Sequence, residues 1–253
     1  MTTREQQLQY LEAMGIQAWT ARRVDHGAGT EQKPLPPEDP VVAVPVADTI
    51  ASVVPVPDVF DGADVAGLDW PALDARVSEC RMCDLHSSRT QTVFGVGNHN
   101  ADWLVIGEAP GHDEDQQGEP FVGRAGQLLN AMLQAVGLQR RQVYIANILK
   151  CRPPNNRDPK PEEVVCCEPY LLRQIELIQP RLILAVGRIA AQNLLNTQTP
   201  IGKLRGEVHR FRDTGIPLIA TYHPAYLLRS PMEKRKSWQD LQLALRTLRE
   251  QGG

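Results

Sequence analysis

At 253 residues and 42% hydrophobic content, the chain is long enough for one medium α/β domain and something more. No apolar run reaches the ~18 residues of a membrane-spanning helix, so no membrane contact is expected, and MTTREQQLQYLEAMG lacks the apolar core of a signal peptide. The formal charge of −3 conceals a division: residues 1–75 hold 4 Lys/Arg against 12 Asp/Glu, whereas residues 76–253 hold 23 against 18. An acidic arm on a basic domain suggests that the domain meets a polyanion, although a solvated surface carrying an acidic arm has the same composition. Five Cys is an odd number and would leave one over from a purely disulfide framework. A cytoplasmic, monomeric chain with reduced thiols is expected.

In chain order, residues 4–23 read as a short amphipathic helix and an apolar tail. Leu8, Leu11 and Met14 recur at helical spacing, Gly15 stops the helix, and Ile16 and Trp19 follow. Residues 24–67 form an expected linker, because seven prolines between Pro34 and Pro57 oppose a packed element there. A folded domain is expected over 68–253. Its apolar runs Trp103–Gly107, Val143–Ile148, Leu182–Gly187 and Pro217–Thr221 read as buried parallel strands. Helices are expected at Ala125–Val136, Glu162–Ile178, Ile189–Leu195 and Ser237–Arg249. Alternating strands and helices predict a parallel sheet covered on both faces, with ligands beyond the carboxyl ends of the strands.

The cysteines carry the first chemical signal. Cys80 and Cys83 bracket two residues, then come Cys151 and the Cys166-Cys167 pair after a long gap. Such thiolates converge only if the fold joins two distant segments, and soft sulfur ligands select iron–sulfur clusters or zinc.

The second signal lies at the strand ends. After the first strand comes GEAPG at 107–111, then His112, Asp113, Glu114 and Asp115, then GEPFVG at 118–123. This turn lacks the P-loop ending and the dinucleotide fingerprint. Phe121 within it is either a core plug or a flat face for a planar ligand. Asn147, after the second strand, either ties down a loop or reads a nucleobase edge with its acceptor and two donors. Lys150, Arg152 and Arg157 set positive charge beside Cys151. After the fourth strand, His223 leads directly into Pro224, and Tyr226, Leu227, Leu228 and Arg229 follow. Apolar side chains next to Arg suit a wedge that opens a duplex step.

These residues resemble one family, the iron–sulfur (family 4) uracil-DNA glycosylases. The resemblance rests on GEAPG at 107–111, GEPFVGRAGQLL at 118–129, NILKCRPPNNR at 147–157 and HPAYLLR at 223–229, and covers roughly residues 76–248. It implies a three-layer αβα sandwich with a four-stranded parallel sheet. It implies a 4Fe–4S cluster held by Cys80, Cys83, Cys151 and Cys167, the family spacing selecting Cys167 over Cys166. Zinc on four thiolates stays open. It also implies hydrolysis of the N-glycosidic bond of uracil in single- or double-stranded DNA. In that scheme Phe121 stacks on the flipped base, Asn147 reads its edge, and Gly107 and Ala109 line the pocket. His223 donates to a uracil oxygen, while Tyr226, Leu227, Leu228 and Arg229 form the wedge and backbone contacts. Where the GQDPY turn of the best-known uracil glycosylases carries an Asp, this chain has Ala109, so Glu108, Glu114 and Asp115 are the candidates for handling water. The competing class is a non-catalytic iron–sulfur or zinc module that binds nucleic acid. A relative that captures the sugar covalently through a His fits less well, because no His-bearing insert precedes the wedge.

Residues 11–23, LEAMGIQAWTARR, are similar to the start of the psi subunit of bacterial DNA polymerase III holoenzymes. That resemblance implies docking on the chi subunit through residues 1–23, with Trp19 as the anchor. An amphipathic helix packing back on the domain is the plainer alternative.

Overall fold

The computed structural model describes residues 63–251. The expected docking segment at 1–23 and nearly all of the expected linker lie outside them. Among the described residues α1 (Ala63–Ala66), which precedes Leu68, already buries Val65 in the core. α2 (Trp70–Ser78) starts where Asp69 accepts the Ala72 amide at 3.0 Å, a side-chain N-cap followed by Pro71 in the first turn.

Six strands form one sheet: β1 (Val96–Gly97), β2 (Trp103–Gly107), β3 (Tyr144–Asn147), β4 (Leu182–Val186), β5 (His209–Phe211) and β6 (Ile216–Thr221). Their order is β1-β3-β2-β4-β6-β5. The inner four are parallel and are the four expected strands. β1 and β5 add antiparallel edges, so the sheet has six strands rather than four. Two- and three-residue edges are too short to display a periodic apolar pattern, which is why the sequence reading passed over them.

Helices cover both faces. They are α3 (His112–Gln117), α4 (Arg124–Ala135), α5 (Pro161–Ile178), α6 (Arg188–Leu194), α7 (Ile201–Leu204), α8 (Pro224–Arg229) and α9 (Lys234–Glu250). Strand residues alternate between two cores, as a pleat requires. Leu104, Ile106, Ile183, Ala185 and Leu218 pack with Leu73, Val77, Tyr170 and Ile175 from α2 and α5. Trp103, Val105, Ile145, Leu184 and Ile219 pack with Leu129, Leu133, Leu227 and Leu241 from α4, α8 and α9. Each fully buried aliphatic side chain contributes about 1.5–3 kcal/mol. The result is the expected three-layer sandwich. Two short helices, α3 and α8, stand where loops were expected. Pro224 presets the first turn of α8, and six residues give no period to read.

The α5 helix joins the two cysteine segments. It carries Cys166 and Cys167, and the buried thiol of Cys167 faces the segment holding Cys151. All five thiols are free.

Candidate active site

The four parallel strands end on one cavity of about 800 Å³. Glu108 follows β2, Asn147 ends β3, Gly187 follows β4, and Tyr222 and His223 follow β6; all five line it. This is the carboxyl edge of the sheet, where the strand order places a crevice.

Phe121, Asn147 and His223, three residues far apart in sequence, meet on this cavity. The Phe121 and His223 rings lie 5.5 Å apart between centroids at 29°. Phe121 has φ 55°, the left-handed region that a bulky side chain rarely adopts. Two features hold it there. Arg140 donates to the carbonyls of Pro120 and Phe121. Gly126 leaves room for the turn, since a Cβ there would stand 1.7 Å from the Phe121 carbonyl oxygen. Gly107 has a parallel role: a Cβ would lie 2.4 Å from Asn147 Oδ1 and 2.7 Å from Phe121 Cζ. Two glycines therefore allow the aromatic plate and the amide to approach each other.

Asn147 is 2% exposed, and its Oδ1 has no hydrogen-bond partner. Such a buried acceptor is destabilising by about 1–3 kcal/mol unless something meets it. Its position on the cavity wall makes it ready for a ligand donor.

His223 is the N-cap of α8, and its Nδ1 accepts the Ala225 amide at 3.1 Å. Burial pushes its pKa down to about 4; the positive charge of Arg229 adds to the shift, and Glu114 opposes it. At neutral pH the imidazole is therefore uncharged. With Nδ1 occupied as an acceptor, the proton sits on Nε2, which becomes a donor.

The acidic candidates separate. Glu114 lines the cavity, but its carboxylate accepts three backbone amides: Gly111 at 3.1 Å, Val122 at 2.9 Å and Gly123 at 3.2 Å. It fixes the turn that presents Phe121. Asp115 stands off the cavity, 2% exposed, with Oδ1 accepting the Thr90 amide at 2.9 Å. This corrects its expected place among the groups handling water: it points into the body of the fold. Glu108 remains, half-buried on the cavity wall. Burial raises its pKa to about 7, the negative charge of Asp158 adds to the shift, and Arg188 opposes it. Gly107 ends β2 beneath this wall, and Ala109 lines the cavity beside Glu108.

The expected wedge also divides. Tyr226 and Leu228 are exposed, 37% and 36%, and Arg229 lines the cavity mouth. Leu227 is 1% exposed and packs in the core beneath α8. It is therefore removed from the wedge, because successive helical side chains point about 100° apart and only one of the pair can face solvent. The sequence reading missed Arg188, Asp158 and Tyr222, which also line the cavity; Arg188 and Asp158 pair at 2.6 Å. Their signal was position alone: Arg188 and Tyr222 follow strands directly, with no motif around Arg188.

Cys80, Cys83, Cys151, Cys166 and Cys167 line a second, small cavity with Arg89, Lys150 and Tyr170. Burial raises the pKa of Cys83 to about 11 and that of Cys167 to about 12, and pushes Cys151 and Cys166 upward. Thiolates there need cationic compensation. Arg89 Nη1 donates to Cys151 at 3.1 Å and the Lys150 amide to Cys167 at 3.2 Å. Cys166 instead lies half-exposed and donates to the Met82 carbonyl at 3.3 Å. Among the described residues no three His, Cys, Asp or Glu side chains are set around a single metal ion. A polynuclear cluster makes a different demand, because each thiolate binds its own iron and the sulfurs stand further apart.

Residues 94–242 match the family described as the Uracil DNA glycosylase superfamily. A type-4 uracil-DNA glycosylase of Archaeoglobus fulgidus is 50% identical over 170 residues, covering 65% of this chain and 85% of the relative. A type-4 uracil-DNA glycosylase of Thermotoga maritima is 42% identical over 180 residues, 70% of this chain and 93% of the relative. One from Pyrobaculum aerophilum is 41% identical over 180 residues, 69% and 92% respectively.

Proposed function

This chain belongs to the uracil-DNA glycosylase superfamily and, within it, to the type-4 uracil-DNA glycosylases; on that premise we propose that it hydrolyses the N-glycosidic bond of uracil in DNA, releasing uracil and leaving an abasic site. The observation that carries this reading is the meeting of an aromatic plate, an unpartnered buried amide oxygen and a neutral imidazole on one cavity.

The target base must leave the stack to reach that cavity, which requires a few kcal/mol. Tyr226 and Leu228 are the exposed side chains that would fill the gap, with Arg229 beside them. The ring of Phe121 offers the flipped base a flat face. Asn147 Oδ1 accepts from uracil N3–H, and its amide nitrogen donates to a ring carbonyl. Cytosine presents an acceptor at N3 and a donor beside it, so the same amide opposes it. As the glycosidic bond breaks, negative charge develops on the leaving uracil. The Nε2–H of His223 is the donor placed to meet that charge, a contribution of about 3 kcal/mol for a preorganised group. A neutral donor suits a leaving anion that keeps its own charge. Glu108 is the carboxylate left to orient water or face the cationic sugar, since Glu114 is engaged by the turn, Asp158 is paired with Arg188 and Asp115 is off the cavity.

We assign a 4Fe–4S cluster to Cys80, Cys83, Cys151 and Cys167. The arrangement of the thiols supports it: all four line one small cavity, and thiolates buried there would need the compensating charge of a metal centre. Cys167 accepts an amide as a ligand sulfur does, whereas Cys166 donates as a protonated thiol does. Bound there, the cluster would clasp α5 to the Cys80–Cys83 segment, and hydrolysis asks no electrons of it. Residues 1–23 we propose as a tethered segment that docks on the chi subunit, and 24–67 as the linker to the glycosylase domain at 68–253.

On a uracil-containing oligonucleotide, His223→Ala should lower kcat about 100-fold to 1,000-fold, with DNA affinity unchanged; equal losses of both would assign His223 to binding. In the same assay kcat should rise with pH through about 7 as Glu108 becomes a carboxylate, and Glu108→Gln should flatten that limb. A limb that persists in the variant would remove Glu108 from the chemistry. Purified anaerobically, the protein should be brown with broad visible absorbance that Cys167→Ser bleaches and Cys166→Ser leaves; colourless, zinc-loaded protein would contradict the cluster. Immobilised residues 1–25 should capture purified chi, and capture that survives Trp19→Ala would refute the docking assignment.

A further inference from the structure

Lys150 lies between the two cavities and is 1% exposed. A lysine is almost never buried this deeply without a partner, because desolvating its amine is costly. Nζ donates to the Asn147 carbonyl at 3.0 Å and to Gln174 Oε1 at 2.6 Å. Gln174, itself fully buried, donates to the Phe94 carbonyl at 3.0 Å and the Tyr144 hydroxyl at 3.3 Å, so its oxygen is held toward Lys150. The main chain of Lys150 is fixed as well. Its amide donates to Cys167 Sγ, and its carbonyl accepts the Val93 amide at 2.8 Å.

From this geometry we infer that Lys150 is a positioning residue: it holds the main chain of Asn147 in the orientation that aims the amide at the base, and ties that orientation to the sulfur of Cys167. The inference rests on Asn147 reading the base, as proposed above. The Asn147 carbonyl belongs to the residue whose side chain carries the unpartnered Oδ1. Anchoring that carbonyl sets the peptide plane, hence the direction of Cα–Cβ and of the amide beyond it. A hydrogen-bonding reader tolerates only about 10–20° of misorientation. Through the Lys150 amide, a displacement of Cys167 reaches the same peptide. One residue thus connects the thiol-lined cavity to the base pocket, with no contact between Lys150 and the base.

The test is a double-mutant cycle in the full chain, with Lys150→Met, Asn147→Ala and the pair. Excision of uracil from an oligonucleotide gives kcat and KM; visible absorbance and thermal unfolding report the thiol centre and the fold. Lys150→Met should lower kcat about 10-fold to 100-fold, the penalty of misplacing a reacting partner by about 1 Å. KM should stay within about twofold, because phosphate contacts dominate DNA affinity. The double variant should fall no further than the lower single variant, since both changes disable one reader. Wild-type kcat in Lys150→Met, or losses that multiply in the pair, would overturn the inference. Asn147→Ala with unchanged kcat would instead overturn the reading of the base pocket and the inference with it. Should Lys150→Met fail to fold, Lys150→Arg keeps the charge while displacing the contact; it should show the same loss of kcat at constant KM, and wild-type kcat there would be decisive against.

Discussion

Asn147 Oδ1 is buried at the end of a parallel strand with nothing to bond to. A fold does not keep such a group without a use, since leaving it unmet is destabilising by about 1–3 kcal/mol. Much around it serves to keep it there. Gly107 leaves the space into which it fits, Phe121 is bent into a left-handed turn beside it, and Lys150 anchors its carbonyl from below. The strain at Phe121 is countered by Arg140, by the absent side chain of Gly126 and by a carboxylate, Glu114, that gathers two amides of the same turn, those of Val122 and Gly123. Strain concentrated at a cavity wall marks where a structure is organised for a ligand.

The electrostatics of the cavity follow from the same burial. A wall that excludes water lowers the pKa of an imidazole and raises that of a carboxyl group, and both shifts occur here, at His223 and Glu108. The imidazole becomes a neutral donor over the whole physiological range, while the carboxyl group titrates near neutrality. Opposed shifts in one site set a neutral donor beside an acid that titrates near neutrality. At the cysteine-lined cavity the same burial raises the pKa of Cys83 and Cys167, so these thiols stay neutral unless a cation compensates the thiolate.

The inner sheet was legible because its strands are continuous apolar runs bounded by turn residues, a pattern that a buried parallel strand imposes on sequence. Asn147 and His223 were legible because each ends or closely follows such a strand, whereas Phe121 lies beyond α3 and drew notice only through its Gly/Pro-rich loop. What could not be read was orientation within short helices. Asp115 and Leu227 sit in the right segments but face inward, because one position along a helix turns a side chain by about 100°. Arg188 and Asp158 were missed for another reason: one opens α6, the other lies in a loop 30 residues earlier, and they become neighbours only in the tertiary structure. The edge strands and Lys150 belong to the same class, since nothing local distinguishes a buried lysine from a solvated one.

The most direct measurement is a crystal structure of the chain soaked with free uracil. The ring should lie against Phe121, with N3–H within hydrogen-bonding reach of Asn147 Oδ1 and a uracil oxygen facing His223 Nε2. Uracil bound away from these three residues, or Asn147 Oδ1 already paired with a protein group, would contradict this arrangement.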